Sequence, residues 1–220
     1  MTSSLPTLTH PPEPFVRRLA RVSLGWWCRV SVEGLEHLPM SGPAIIASTH
    51  ASHADSIALG LASPRKLSFL GDRRLLDWPL IGRWLPAFGM VPIERGHADL
   101  GALGAIGDAL TAGEAVVLYP EGTRSRDGAV HRPRSGVARL AASSGAPVVP
   151  AGIVGTAGLW PVDTRPRLLG AEITVRFGPA IQAPSDTPAE RRAWSRALQD
   201  ELVRLSGAPR NDSFAPIRAA

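Results

Sequence analysis

The sequence predicts an α/β fold, a mixed sheet flanked by helices, and three observations carry that expectation. Short apolar runs of strand character alternate with helical periodicities along the 220 residues. Polar, chemistry-bearing residues cluster just after the apolar runs, where open α/β sheets place their ligands. No repeat divides the chain, and its 44% apolar content fits one large core.

Residues 1–14 are rich in Ser, Thr and Pro and are expected to be disordered, with no apolar stretch and cleavage site of a secretory signal. Over 15–27, Phe15, Leu19, Val22 and Trp26 fall on one helical stripe while Arg17, Arg18 and Arg21 lie off it. This predicts a short basic amphipathic helix ending in Trp26-Trp27, packed either on the core or on an anionic membrane surface. No run reaches the ~18–20 apolar residues of a membrane-spanning helix. Net charge is +5, and Lys66 is the one lysine among 24 basic residues. Basic surfaces meet nucleic acid, anionic lipid or phosphorylated small molecules. Half of the twelve aromatics are Trp, several beside Arg or Pro, which does not make a stacking platform for bases, so no nucleic-acid partner is expected. The single Cys28 excludes an internal disulfide.

Arg29–Glu33 alternates like a strand, and Pro43–Ala47 reads as a buried strand closed by turn residues. It leads into Ser48-Thr49-His50-Ala51-Ser52-His53-Ala54-Asp55, after which Ser56–Ala62 is a plausible helix with Asp55 at or near its N-cap. Four residues separate His50 from Asp55, so imidazole and carboxylate can meet across a tight turn. A carboxylate on one ring nitrogen sets the tautomer and leaves the other as a general base, acting directly on a substrate hydroxyl without a Ser or Cys nucleophile.

Lys66–Leu70 is the next strand candidate. Trp78, Leu80, Ile81, Trp84 and Leu85 are core or the lining of an apolar groove. Gly89–Arg95 is a short strand with Arg95 at its exit, where a guanidinium can fork onto a phosphate. A helix follows over 99–112, stopped by Gly113. Ala115–Tyr119 is a buried strand, and Pro120-Glu121-Gly122-Thr123-Arg124-Ser125 leaves its end. Gly122 permits close approach or positive φ, Thr123 and Ser125 bring hydroxyls and Arg124 a guanidinium, which together suit an anionic group. Arg126, Arg132 and Arg134 extend the positive field. Ala146–Gly155 is an apolar strand interrupted by Pro150, and Ala171–Phe177 is another. Thr187-Pro188-Ala189-Glu190 is a capping box with Pro at the first helical position, and the helix behind it aligns Trp194, Leu198, Leu202 and Leu205. One domain over 15–206 is expected, with a flexible tail over 207–220.

Taken together, four blocks resemble the glycerolipid acyltransferase family typified by 1-acyl-sn-glycerol-3-phosphate acyltransferase. They are His50…Asp55, Gly89…Glu94-Arg95, Pro120-Glu121-Gly122-Thr123-Arg124-Ser125, and Val148-Val149-Pro150, in the family's order and within roughly residues 29–180. Thr49 departs from the pattern, since many members carry Asn before the His. The resemblance implies a glycerol-3-phosphate acyltransferase-like fold and an O-acyltransferase that moves a fatty acyl group from a thioester to a lysophospholipid hydroxyl. The acceptor implied is 1-acylglycerol-3-phosphate. His50 and Asp55 would be catalytic, and Arg95, Glu121, Gly122, Thr123 and Arg124 would bind the headgroup. It implies no bound cofactor and no metal, with acyl-CoA or acyl carrier protein as the donor. The expected location is peripheral, on the cytoplasmic face of a membrane, with no transmembrane helix.

Other readings compete. The acceptor could be another lysolipid, an amino-acid lipid or a glycolipid. A non-catalytic anionic-lipid-binding protein could keep the same fold. His50-x-x-His53-x-Asp55 also resembles a His-x-His-x-Asp-His zinc ligand set, but its spacing is off by one and Ser56 stands where the last His is needed. His10, His37, His97 and His131 are scattered without ligand spacing.

Overall fold

The computed structural model describes residues 28–77, 85, 89–93, 98–164, 167, 171–185 and 187–216. The amphipathic helix expected over 15–27, most of the apolar 75–88 segment, and Glu94 and Arg95 lie outside the described residues, as does the end of the tail from 217.

A seven-stranded sheet forms the centre. Its strands are β1 (Cys28–Glu33), β2 (Ala44–Ser48), β3 (Leu67–Asp72), β4 (Met90–Ile93), β5 (Ala115–Leu118), β7 (Val148–Val154) and β8 (Ala171–Phe177), in the order β1-β8-β7-β2-β5-β3-β4. Every neighbouring pair is parallel except β7–β8, so the sheet is mixed, as the sequence predicts. The helices are α1 (Asp55–Ala62), α2 (Ala98–Thr111), α3 (Ser135–Ser144), α4 (Thr156–Leu159) and α5 (Pro188–Ser206).

Strand alternation sorts the core into two layers. Ile46, Val117 and Val149 face α1 and α4, where Ala58, Leu59 and Leu159 meet them. Ile45, Val116 and Val148 face α2, α3 and α5, where Ile106, Leu140 and Leu198 meet them. Both faces of β2 are therefore buried, which is why Ala44–Ser48 is continuously apolar up to Ser48. Pro150 has no N–H to donate and lies just past the Ala151–Phe177 pair that ends the β7–β8 ladder, where its carbonyl still accepts from the Gly178 N–H at 2.9 Å.

The N-cap half of the capping box predicted at 187–190 is formed: Thr187 accepts from the Glu190 N–H at 3.3 Å, with Pro188 in the first turn. Four elements are not anticipated by the sequence reading. Helix α3 runs through Ser135–Ser144, α4 is a single turn after β7, and β6 (Val130–His131) pairs in parallel with β9 (Arg210–Asn211). Strand β9 thus lies within the segment expected to be a flexible tail from residue 207. Gln199 donates to the Val130 and Asn211 carbonyls, Arg134 donates to the Ala215 carbonyl, and Ala215 is buried. Residues 207–216 lack helical or strand periodicity, yet they complete a two-stranded ladder that α5 covers.

Candidate active site

Strands β2, β5 and β7 are mutually parallel, so their carboxyl ends share one edge of the sheet. The segments that leave those ends are 49–54, 119–125 and 155–160, and they carry the chemistry.

His50 follows β2 and Asp55 opens α1. Asp55 is fully buried, and one of its oxygens, Oδ2, receives three donors: His50 Nδ1 at 2.9 Å and the backbone N–H groups of Ala51 and Ser52, each at 2.8 Å. The expected meeting of the two side chains is present. Asp55 is not the N-cap, however; Ala54 holds that position, and the carboxylate reaches back over the turn rather than forward into the helix. The two backbone donors hold the carboxylate in place. With Nδ1 engaged, His50 Nε2 is the nitrogen left for substrate, and the side chain retains 18% exposure.

The segment around the pair is tied to both neighbouring strands. Ser52 Oγ donates to the Trp160 carbonyl at 2.7 Å beyond β7. The Ser125 N–H donates to the His50 carbonyl at 2.7 Å from beyond β5. Thr49, where relatives of the expected pattern carry Asn, accepts from the Ile153 N–H through its hydroxyl at 3.0 Å. Its substitution thus leaves a hydrogen bond that pins β2 to β7. Beneath His50 lies Tyr119, the last residue before the Pro120 turn, and its hydroxyl is 2.6 Å from that of Ser56. Burial, with the Asp55 charge behind it, holds the Tyr119 phenol well above its usual range. Nothing in the sequence pattern singled out Tyr119, Ser52 or Trp160. An aromatic residue at the end of a buried strand beside the motif was the only available signal.

The Pro120–Ser125 segment divides into two parts. Glu121 does not face the groove: it is 1% exposed, and its carboxylate accepts from the His131 N–H at 3.1 Å. Burial pushes its carboxyl up to about 7, opposed by the backbone N–H groups of His131 and His50. Glu121, expected to bind the headgroup, thus lies buried beneath the loop. Gly122 has φ +73°, and a Cβ there would stand 2.9 Å from Arg134 Cδ, so its small size admits Arg134 rather than a ligand. Thr123 is partly exposed.

Arg124 does come to the mouth of the site. Its guanidinium contacts His53 Nε2, and the His53 ring lies 5.0 Å from that of Trp160. Burial and then the Arg124 charge pull His53 down to about 4, so the ring is neutral at pH 7 and accepts from the arginine. The arginine cation thus engages the Nε2 of His53. Among the described residues no group of three His, Cys, Asp or Glu is arranged to hold a metal ion.

The extended positive field is also redistributed. Arg126 pairs with Asp163, and Arg134 donates to the carbonyls of Glu121 and Ala215. Arg132 lies over the Phe214 ring at 5.0 Å. Of the residues expected to bind the headgroup, Gly122 is exposed, Thr123 and Arg124 are partly exposed, Glu121 is buried, and Arg95 lies outside the described residues. Among the described residues no helix is long and apolar enough to cross a membrane.

Comparison with known proteins agrees with this arrangement. The chain is 32% identical over 154 residues to the 1-acyl-sn-glycerol-3-phosphate acyltransferase LPAT1, chloroplastic, of Arabidopsis thaliana, covering 68% of this chain and 43% of that protein. It is 30% identical to a 1-acyl-sn-glycerol-3-phosphate acyltransferase of Chlamydomonas reinhardtii, covering 85% and 61%. The chain spans about half the length of the curated relatives it matches. The crystal structure of the 1-acyl-sn-glycerophosphate acyltransferase PlsC from Thermotoga maritima superposes with a TM-score of 0.72 at 24% identity, covering 87% of this chain and 78% of that one, and so shares the fold. The Acyltransferase family model matches residues 29–154, a span that takes in His50, Asp55, Tyr119 and the Pro120–Ser125 segment. The chain therefore belongs to the acyltransferase family.

Proposed function

We propose that the protein is an O-acyltransferase that moves a fatty acyl group from a thioester to the free hydroxyl of a lysophospholipid, with 1-acylglycerol-3-phosphate as acceptor and phosphatidic acid as product. The observation that carries this reading is the buried Asp55 carboxylate held by two backbone N–H groups and bonded to His50 Nδ1. Family membership supports the reaction class, and the names of the relatives support the acceptor.

The chemistry follows from that pair. Asp55 fixes the Nδ1–H tautomer, so Nε2 presents a lone pair. The acceptor hydroxyl gives its proton to Nε2 as its oxygen attacks the thioester carbonyl, and the C–O bond forms. The C–S bond then breaks, and the leaving thiolate takes the proton back from the imidazolium. Base and acid are one residue, and no acyl-enzyme forms. Asp55, being buried, stabilises the transient imidazolium through a charge-assisted hydrogen bond. Arg124 holds the acceptor's phosphate, with Arg95 as its counterpart across the groove. The donor is acyl-CoA or an acyl carrier protein thioester, and the enzyme works peripherally at a membrane surface, where the acceptor lies.

The test is turnover by the purified protein with palmitoyl-CoA and with palmitoyl-loaded acyl carrier protein, each with 1-acylglycerol-3-phosphate, the products read by mass spectrometry. Phosphatidic acid is expected. Product from other lysolipids alone overturns the acceptor assignment, and no acyl transfer from either donor to any lysolipid overturns the reaction class.

A further inference from the structure

Between α3 and α5 the surface opens into a cleft of ≈ 220 Å³ whose lining carries one sign of charge. Arg132, Arg139, Arg191, Arg192 and Arg196 reach it, and no lining residue is acidic. Several arginines elsewhere on the surface have carboxylate partners: Arg126 with Asp163, Arg176 with Glu33, Arg204 with Glu201, and Arg210 with Asp200 and Asp212. Arg139, Arg192 and Arg196 have none among the described residues. Like charges gathered without counter-charges repel one another and focus a positive field, which attracts an anionic partner.

The shape narrows the partner. On α5 the lining runs from Pro188 to Gln199, eleven residue steps or about 16 Å of helix, with Arg192 and Arg196 at i, i+4 spacing. That length exceeds a single phosphate and matches three turns of a helix laid in the groove. A bilayer is a plane and is met by protruding apolar side chains. Here the one large exposed apolar residue at the cleft is Phe214, 50% exposed, with the Arg132 guanidinium over its ring. The Arg132 end of the cleft adjoins the site. The preceding residue, His131, donates its N–H to Glu121, and Arg134 donates to the Glu121 carbonyl, on the segment that follows Tyr119 beneath His50.

We propose that this cleft docks an acidic helix of a small carrier protein that brings the acyl thioester to the His50 edge. As to what the partner delivers, the proposal rests on the acyl-transfer reading. Charge complementarity at an open, exposed surface governs partner choice and encounter more than chemistry, so its signature is salt-sensitive affinity.

The experiment uses the full chain and palmitoyl-loaded acyl carrier protein as the probe, with binding measured by calorimetry at low and high salt. Arg192→Glu/Arg196→Glu, both exposed positions, and Arg139→Glu as an independent variant are checked for an unchanged thermal midpoint. Carrier affinity should fall about tenfold or more in both variants and in high salt. KM for the palmitoyl carrier should rise in step while KM for palmitoyl-CoA stays where it was. Unchanged carrier affinity overturns the proposal. So does an equal rise in both KM values, which makes the cleft a site for the donor's phosphates. Loss of binding to phosphatidylglycerol vesicles with carrier affinity intact also overturns it and makes the surface a membrane face. Should no donor be turned over, the binding measurement still decides the docking, and only the acyl-transfer reading falls.

Discussion

The His50 imidazole lies flat against the Tyr119 ring, centroids 3.7 Å apart and planes 13° from parallel. Asp55 fixes one nitrogen of that imidazole, but a single hydrogen bond leaves the ring free to pivot about it. Tyr119 supplies the second constraint, a plane. Its own position is set by the hydroxyl contact with Ser56 on α1, the helix that Asp55 opens. Tyr119→Leu should lower kcat by about three- to tenfold, the scale of an aromatic pair worth ~0.5–1.5 kcal/mol, with KM values little moved. Tyr119→Phe keeps the stack and should keep most of the rate. If the Phe variant is as slow as the Leu variant, the hydroxyl and not the stack positions His50.

Removal of the base separates from removal of its support. His50→Ala should cut the rate about 10²–10⁴-fold with the thermal midpoint unchanged, since the side chain sits at a partly open edge. Asp55→Ala should lose a similar factor and also destabilise the fold by about 1–3 kcal/mol, because the Ala51 and Ser52 N–H groups lose their acceptor. Urea titration and steady-state rates on the two variants check this. Substantial turnover by His50→Ala with native stability removes it as the base.

Arg124 and His53 form one unit at the mouth of the site. Arg124→Lys loses the planar fork and should reduce kcat/KM for the acceptor by about 10–100-fold. His53→Ala removes the acceptor that aims the guanidinium and should raise acceptor KM by a smaller factor in the same direction. Arg126→Ala, whose partner is the exposed Asp163, should do little. Acceptor and donor are varied separately in the assay. A KM change confined to the thioester would reassign Arg124 to the donor.

Glu121 gives the fold a pH dependence. Burial pushes its carboxyl in the folded protein up to about 7, above the ordinary 4.5, so the protonated form is favoured there. The stability it contributes is complete below about pH 4.5 and is lost as pH rises through 7. Glu121→Gln keeps an acceptor for the His131 N–H without the charge. Relative to the parent it should gain stability on going from pH 5 to pH 8, by an amount approaching about 3 kcal/mol. Chemical denaturation of both proteins across that range measures it. A constant difference between them would show that the Glu121 charge is compensated in the folded state.

Much of the architecture was legible because it rests on local periodicity. Strands at 44–48, 115–118, 148–154 and 171–177 and the helix from Pro188 follow from apolar runs, a capping box and stop signals, each confined to a few adjacent residues. The His50–Asp55 pair was legible for the same reason: five positions of chain and one turn place both groups within reach. Helix α3 was missed because Ser135-Gly136 opens it and Ser143-Ser144 closes it, leaving too short an apolar stripe to stand out. The 207–216 segment was missed because its order comes from Gln199, Arg134 and β6, far away along the chain.

By itself the sequence determined the strand and helix content, the family blocks and the pairing of His50 with Asp55, all of them short-range in the chain. Only the tertiary structure decided which motif residues turn toward the groove. Glu121, Gly122 and Arg124 are near neighbours leaving one strand, yet Glu121 is drawn under the loop by the His131 N–H, Gly122 makes room for Arg134, and Arg124 reaches His53. In each case the deciding partner comes from another segment of the chain, and a side chain's direction is set by the donor or acceptor that folding brings beside it.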